Sequence, residues 1–276
     1  MGEGLALLLS GKLAIVGLWF LAFLVGERLR PAALPPPSLA PGRGTPASRR
    51  LLRNGGLWVI NSALSPLLIL PLTIWASSQS LDWRPAWWSG WGGLLFDILL
   101  LDFLIYWWHR ANHEIPFLWR FHEVHHRDQF LDATSALRFH LGELLLSGTA
   151  RAAVIWLLGF PLASILVFES LVLMPAIFHH SNLRLSPAIE RQLSRLFITP
   201  AIHWLHHHAR RADTDSNYGT ILAVWDSLFG SRNQNSKRLD MPIGVEGRRD
   251  LPLFKLLLLP FRGSRQGLHT RARFNR

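Results

Sequence analysis

Histidine is the residue type that carries chemistry in this sequence. Of thirteen histidines, twelve fall between residues 109 and 208. Their spacing is more informative than their number. His109 and His113 stand four apart. His122, His125 and His126 follow an i, i+3, i+4 pattern that recurs at His203, His206 and His207. On a helix these offsets bring side chains to one face, where imidazoles can converge on a common point. His140 precedes a long apolar stretch and the pair His179–His180 ends it. A single histidine at the end of a span is more often a polar cap than a ligand, and one H-x-x-H-H can be a solvated face. Two such motifs, an H-x-x-x-H and a further pair argue for metal. Without a cation, this many clustered imidazoles would repel on protonation and leave polar groups to satisfy. Neutral imidazole suits Zn, Cu, Fe and Ni, so the ligand type does not name the metal.

The stretch FHEVHH (121–126) supports two readings. As H-E-x-x-H, it is the signature of an intramembrane zinc metallopeptidase with Glu123 as base. As H-x-x-H-H, it presents three imidazoles and gives the glutamate no necessary role. A catalytic zinc takes three protein ligands and an open position, which would leave about eight histidines without a use. Eight to ten imidazoles instead suit two metal ions with room for oxygen. A third possibility is a metal-handling protein without catalysis, in which Asp102 would line a path. The absence of cysteine removes disulfides, thiolate haem ligation and iron–sulfur clusters within this sequence.

The elements that must position these residues are apolar helices. Residues 5–25, 56–76 and 91–108 each approach or exceed the roughly 18 apolar residues of a bilayer span. Residues 143–178 run about twice that length, broken at Gly159-Phe160-Pro161, and predict a hairpin of two helices. The expected fold class is all-α: an integral membrane bundle of about four or five apolar helices with a cytoplasmic histidine-rich cap. The first span lacks a basic n-region and an A-x-A site and is expected to be retained. Arg28, Arg30, Arg43, Arg49, Arg50 and Arg53 crowd the first connecting segment, whereas 77–90 holds only Arg84. The positive-inside rule then makes the first segment cytoplasmic and puts His109 and His179 on that same side. Trp83, Trp87, Trp88 and Trp91 are expected in an aromatic belt on the far side. Residues 31–48 form a Pro/Gly/Ser-rich loop. From Arg232 onward eleven Lys/Arg face three acids. Next to membrane spans this charge suits the anionic leaflet better than nucleic acid. Within this tail, 253–261 is too short to cross and reads as an interfacial segment. The organisation expected is 1–90 for N-terminal spans and the Pro-rich loop, 91–231 for the catalytic region, and 232–276 for a loosely structured basic tail.

Several motifs resemble the fatty acid hydroxylase/sterol desaturase superfamily of membrane histidine-box oxygenases. DFLIYWWHRANH (102–113) is similar to that family's D-x-x-x-Y-x-x-H-R-x-x-H segment, and HEVHH to its second box. RFHLGE (138–143) is similar to an R-x-H-P-x-E element, with Leu141 where proline is usual. FHHSN (178–182) matches a segment that contributes a histidine before Asn, and HWLHHHARRADTDSNYGTILAVWDSLFGS (203–231) matches the last box with its N-Y-G…W-D-x-L-F-G continuation. The resemblance covers roughly Asp97 to Gly230. It implies two iron ions held by His109, His113, His122, His125, His126, His180, His203, His206 and His207, with His179 a further candidate. It makes His140 site-proximal and leaves His208 beside the ligand face. His269 is expected to have no role.

The activity implied is O2-dependent hydroxylation or desaturation of a C–H bond in a membrane lipid, such as a fatty acyl, ether or sterol-like lipid. Electrons are expected from a separate ferredoxin, cytochrome or pterin, since no H-P-G-G segment of a fused cytochrome is present. Two carboxylates within spans stand out, because charge there is costly. Asp102 lies two turns before His109 and is expected to hold an imidazole N–H. Glu169 lies eleven residues before His180 and is expected to line the substrate channel.

Overall fold

A computed structural model describes residues 2–36, 39, 47–81 and 83–262. Arg43, His269 and the end of the basic tail lie outside the described residues. Among the described residues there are helices and turns but no strand. The chain opens with α1 (Gly2–Leu29). Next come α2 (Ala47–Leu68) and α3 (Leu70–Ser78), nearly one rod broken at Ile69. The break has a local cause: Pro66 and Pro71 bracket it, and each removes a helical N–H. The segment α4 (Gly90–Glu114) ends where Ile115 precedes Pro116, a position disfavouring helix. Pro116 then starts α5 (Pro116–His126), which turns back beside the end of α4. The hairpin expected over 143–178 is α6 (Leu141–Leu158) and α7 (Leu162–His180), with Gly159 at φ 66° closing α6 in the left-handed region that favours glycine.

Among the described residues, four stretches are long and apolar enough to cross a membrane: 48–78, 90–114, 141–158 and 162–180. Short helices complete the cap: α8 (Pro187–Leu193), α9 (Pro200–His206), α10 (Arg211–Thr214), α11 (Val224–Leu228) and α12 (Leu253–Leu258). Proline at the first turn, where its missing N–H costs nothing, starts both α8 and α9.

The membrane-region core lies where α3, α4, α6 and α7 meet, around Ala76, Leu101, Ile155, Phe160 and Ile165. Trp88 belongs to this core rather than to the belt. It is 7% exposed and donates its indole N–H to Asp97 at 2.7 Å, while Trp83, Trp87 and Trp91 remain at the surface. Arg84 donates to the same carboxylate at 2.8 Å and to the Gly159 carbonyl, so it staples the N-terminal half of α4 to the C-terminal end of α6.

A second framework holds the cap to α2, and it is ionic. Arg50 is buried and donates to Asp128 (2.6 and 2.8 Å) and Asp132 (2.6 Å). Asn54 bonds Asp128 and Thr134, and Arg53 pairs with Asp250 at 2.7 Å. Arg138, fully buried, donates to the Val124 carbonyl, to Asn54 and to Asp250. Burial alone would raise the Asp128 carboxyl, but Arg50 and Arg138 hold it down at about 2. Two arginines that sequence reasoning assigns to topology are therefore interior. The tail also differs from expectation, since its first part is folded. Asp250 is in this network, and Leu256 packs against Leu57 and Val124.

Candidate metal centre

Nine histidines fall into two groups. His109, His113, His122, His126 and His206 form one; His125, His180, His203 and His207 form the other. Within each group the ligand-capable atoms lie within 4.8 Å of one another. The helix α4 supplies His109 and His113, and α7 supplies His180. The helices α5 and α9 serve both groups, α9 through its helical residues and His207 at its C-cap.

The partners of the ring nitrogens decide which nitrogen is free. His109 donates its Nδ1–H to the Tyr218 carbonyl (2.8 Å), and His206 to the Ser216 carbonyl (2.7 Å). His125 donates to the Arg138 carbonyl (3.0 Å) and His180 to the Ala176 carbonyl (2.7 Å). His122 bonds Glu143 at 2.7 Å, and His113 reaches Asp215 at 3.4 Å. A carbonyl only accepts, so the proton sits on Nδ1 and the Nε2 lone pair is bare. Yet the Nε2 atoms of His125 and His180 face each other at 3.1 Å. Two lone pairs at that distance have no proton to share. In the other group, the Nε2 atoms of His113 and His206 are buried with no partner. Further Nε2 pairs stand at 3.0 Å (His180–His203 and His203–His207) and 3.2 Å (His122–His126). Two nitrogens bound at right angles to one ion at about 2.1 Å would be about 3.0 Å apart. A cation in each group resolves the opposed lone pairs and the orphaned Nε2 atoms, while Nδ1 of His126, His203 and His207 is buried without a partner; an all-imidazole donor set fits iron.

Burial pushes His125, His126, His203, His206 and His207 well below the ordinary histidine range, and neighbouring imidazoles add to the effect. The rings are thus neutral, the form that ligates.

The last motif has a physical reading. Asn217 takes φ 54°, a left-handed conformation that Asn tolerates, and its side chain bonds the Ile202 carbonyl on α9. Asp226 accepts from the backbone N–H groups of Tyr218 (2.7 Å) and Gly219 (2.9 Å) and from Ser231. This fixes the Tyr218 carbonyl on His109. Gly219 leaves no room for a side chain, since a Cβ would lie 2.8 Å from the Leu222 carbonyl oxygen and from Asp226. Asp102 is tied into the same loop rather than to an imidazole. It accepts from Ile221 and Leu222 N–H (3.2 Å each) and Trp225 Nε1 (2.8 Å). Its two-turn offset from His109 therefore positions the loop, which in turn holds the histidine.

Other expected residues lie elsewhere. His140 caps α6, with Nδ1 accepting from Gly142 N–H at 2.9 Å and Nε2 donating to the Leu257 carbonyl at 3.1 Å, so both nitrogens are engaged by backbone. Glu169 pairs with Arg151 at 3.1 Å and Lys12 at 3.5 Å. His179 is buried with its ring 4.0 Å from that of His203 but belongs to neither group. His208 donates to Asp213 at 2.8 Å. Glu123 pairs with Arg127 at 2.8 Å; the peptidase reading needs it free as a base. Three contributors escaped sequence reasoning as site residues. Glu143 and Asp215 stand inside quoted motifs, and Tyr218, in the last of them, packs 5.2 Å from His113.

The comparisons agree with this geometry. The chain is 28% identical over 223 residues to an ornithine lipid hydroxylase of Rhizobium tropici, covering 79% of this chain and 65% of that protein. It is 29% identical over 188 residues to an alkylglycerol monooxygenase of Danio rerio, covering 62% and 38%. Human cholesterol 25-hydroxylase aligns at 25% over 139 residues, half of each chain. The chain thus spans under two thirds of the length of the first two relatives. No solved structure gives a significant match. The fatty acid hydroxylase family model matches residues 94–231. That interval is half of the chain, from α4 to the last turn of the Asp226 loop, and contains all nine converging histidines. The chain belongs to the fatty acid hydroxylase family.

Proposed function

We propose that this protein uses O2 to hydroxylate an unactivated C–H bond in a membrane lipid, with two iron ions in the two histidine groups and electrons from a separate carrier. One observation carries the reading: bare Nε2 lone pairs converge, some facing each other at 3.1 Å, where only a cation makes the arrangement favourable. Iron bound there would supply O2 activation and hydrogen abstraction. The residues of the chain orient and enclose. Glu143, Arg138, Ala176, Ser216 and Tyr218 fix ring tautomers, which keeps the ligating nitrogens aimed inward. Burial of eight of the nine rings excludes bulk water from the centre. His109 alone is half-buried.

Hydroxylation is preferred to desaturation because the relatives above are named hydroxylases and monooxygenases of lipids. A lipid substrate is supported by the apolar helices and by a groove of about 420 Å³ between α1 and α2. Phe20, Leu24, Val25 and Leu51 line it, with Arg28 at its rim. By the positive-inside argument the histidine centre faces the cytoplasm.

The test is metal analysis of protein purified without air, followed by lipid profiling. About two irons per chain are expected, falling to about one on changing His122 and His206, both in the five-histidine group, to Ala. Membranes containing the active chain should hold a lipid heavier by one oxygen atom, labelled by 18O2 and absent with His122→Ala. One zinc per chain, unaffected by His206→Ala, would refute the reading.

A further inference from the structure

The two histidine groups differ in how they meet the surface, and the difference points to where electrons enter. Resting on the reading above, we infer that a one-electron carrier with an acidic face docks over Trp119 and Arg211 and delivers electrons to the five-histidine group. Trp119, on α5, is half-buried. Its ring centroid lies 5.1 Å from that of His113 and 5.4 Å from that of His126, both in that group. The guanidinium of Arg211 covers the Trp119 ring at 4.9 Å. Arg211 is 55% exposed at its side chain, bonds the His113 carbonyl at 2.9 Å, and holds Asp215, which reaches His113. An aromatic ring in contact with two ligand rings and with a surface cation is a short route through bonded and packed atoms. Electronic coupling falls steeply with distance, so such a route outranks one through helix backbone.

Charge selects the partner. Arg120 and Arg210, each next in sequence to one of these residues, are exposed, and no carboxylate pairs with either among the described residues. Beside them a polar pocket of about 270 Å³ is lined by Arg210, Asp215, Ser216 and Arg232. Its Asp215 and Ser216 are the partners of His113 and His206. In the four-histidine group His125 stacks on the half-buried Phe139 at 4.5 Å and His180 bonds within α7, but among the described residues no surface cation covers the Phe139 ring. Positive charge around the aromatic route would steer an acidic carrier to it. Each encounter oxidises one reduced carrier by one electron. Two encounters, with two protons, balance conversion of one O2 and one C–H bond into an alcohol and water.

The test uses the full chain in nanodiscs, its iron oxidised to the ferric state before oxygen is removed, mixed with a reduced plant-type [2Fe–2S] ferredoxin. Ferredoxin oxidation is followed by its absorbance, and iron content and reduction by dithionite are measured for every variant. The double variant R120E/R210E should lower the second-order rate on the order of ten-fold and flatten its salt dependence, leaving the rate at saturating ferredoxin unchanged. W119L should lower the saturating rate with unchanged affinity, and W119F should restore most of it. The pair R191E/R195E, on α8 and just past its end, which contributes no histidine, should change neither. Wild-type rates in both R120E/R210E and W119L would overturn the inference, as would a larger effect from the α8 pair. So would a chain reduced by dithionite but not by ferredoxin. Absence of iron in the wild-type chain would instead defeat the reading of the site, and metal analysis shows that before any kinetics.

Discussion

Glu143→Gln is the substitution that separates the two histidine groups. Glu143 holds Nδ1 of His122 at 2.7 Å, and the two side chains are 6% and 3% exposed. A buried hydrogen bond to a charged group is worth about 1.5–3 kcal/mol, or roughly 10–150-fold in binding. The usual loss on removing such an outer partner is similar, about 10–100-fold in metal affinity. Gln keeps an acceptor for His122 but loses the charge, so the lower end applies, about ten-fold. Leucine at the same position removes both and should approach about a hundred-fold. No histidine of the four-membered group touches Glu143, so one class of site should weaken and the other should not. Anaerobic titration of the metal-free protein with Fe(II) against a competing chelator would resolve the two classes. Glu123→Gln, which disturbs only the pair with Arg127, should leave both isotherms unchanged. Equal weakening of both sites by Glu143→Gln, or weakening by Glu123→Gln as large, would refute the assignment of Glu143 to one group.

Three further outcomes are expected. Gly219→Ala places a Cβ 2.8 Å from the Leu222 carbonyl oxygen and from Asp226; it should destabilise by about 1–3 kcal/mol, seen as a lower melting temperature and weaker metal binding through His109. Arg50→Met removes the cation nearest to the buried Asp128 and Asp132 and should cost about 3–5 kcal/mol, read from detergent-solubilised melting curves. Acid should destabilise the metal-free protein in a defined direction. Its buried His125, His126, His203, His206 and His207 resist protonation, while the unfolded chain titrates near 6.5. Below that pH the unfolded state binds more protons, so stability present above it is lost as pH falls. A melting temperature independent of pH between about 7.5 and 5 would contradict this.

The membrane-region architecture was legible because its causes are local. Apolar length marks the spans, and Gly159 with Pro161 breaks the hairpin where their backbone chemistry requires. The cap was less legible because its causes are distant in sequence. Arg50 and Arg53 look like surface charge when read alone. Their partners Asp128, Asp132 and Asp250 lie far along the chain, and only the packing of α2 against the segment after α5 and the tail brings them together. Asp102 illustrates a subtler limit. It sits midway along α4, two turns before His109, but the loop 221–225 returns to occupy its oxygens first.

The histidine boxes show how far periodicity reaches. It places His122, His125 and His126 near one face of α5, but adjacent residues on a helix are about 100° apart. That angle separates His125 from His126 and sends them to different groups. On α9 the same split sends His206 one way and His203 with His207 the other. Two H-x-x-H-H motifs are therefore not two metal sites. Each motif contributes to both sites, and the pairing is set by how α5 and α9 face each other. A shift of either helix would disturb both groups together. The rest of each group has its own supports. Tyr218, Asp215, Ser216 and Glu143 hold the five-membered group, and Arg138 and Ala176 hold the four-membered one. Shared helices fix the spacing between the sites, while separate outer partners leave each free to be tuned alone.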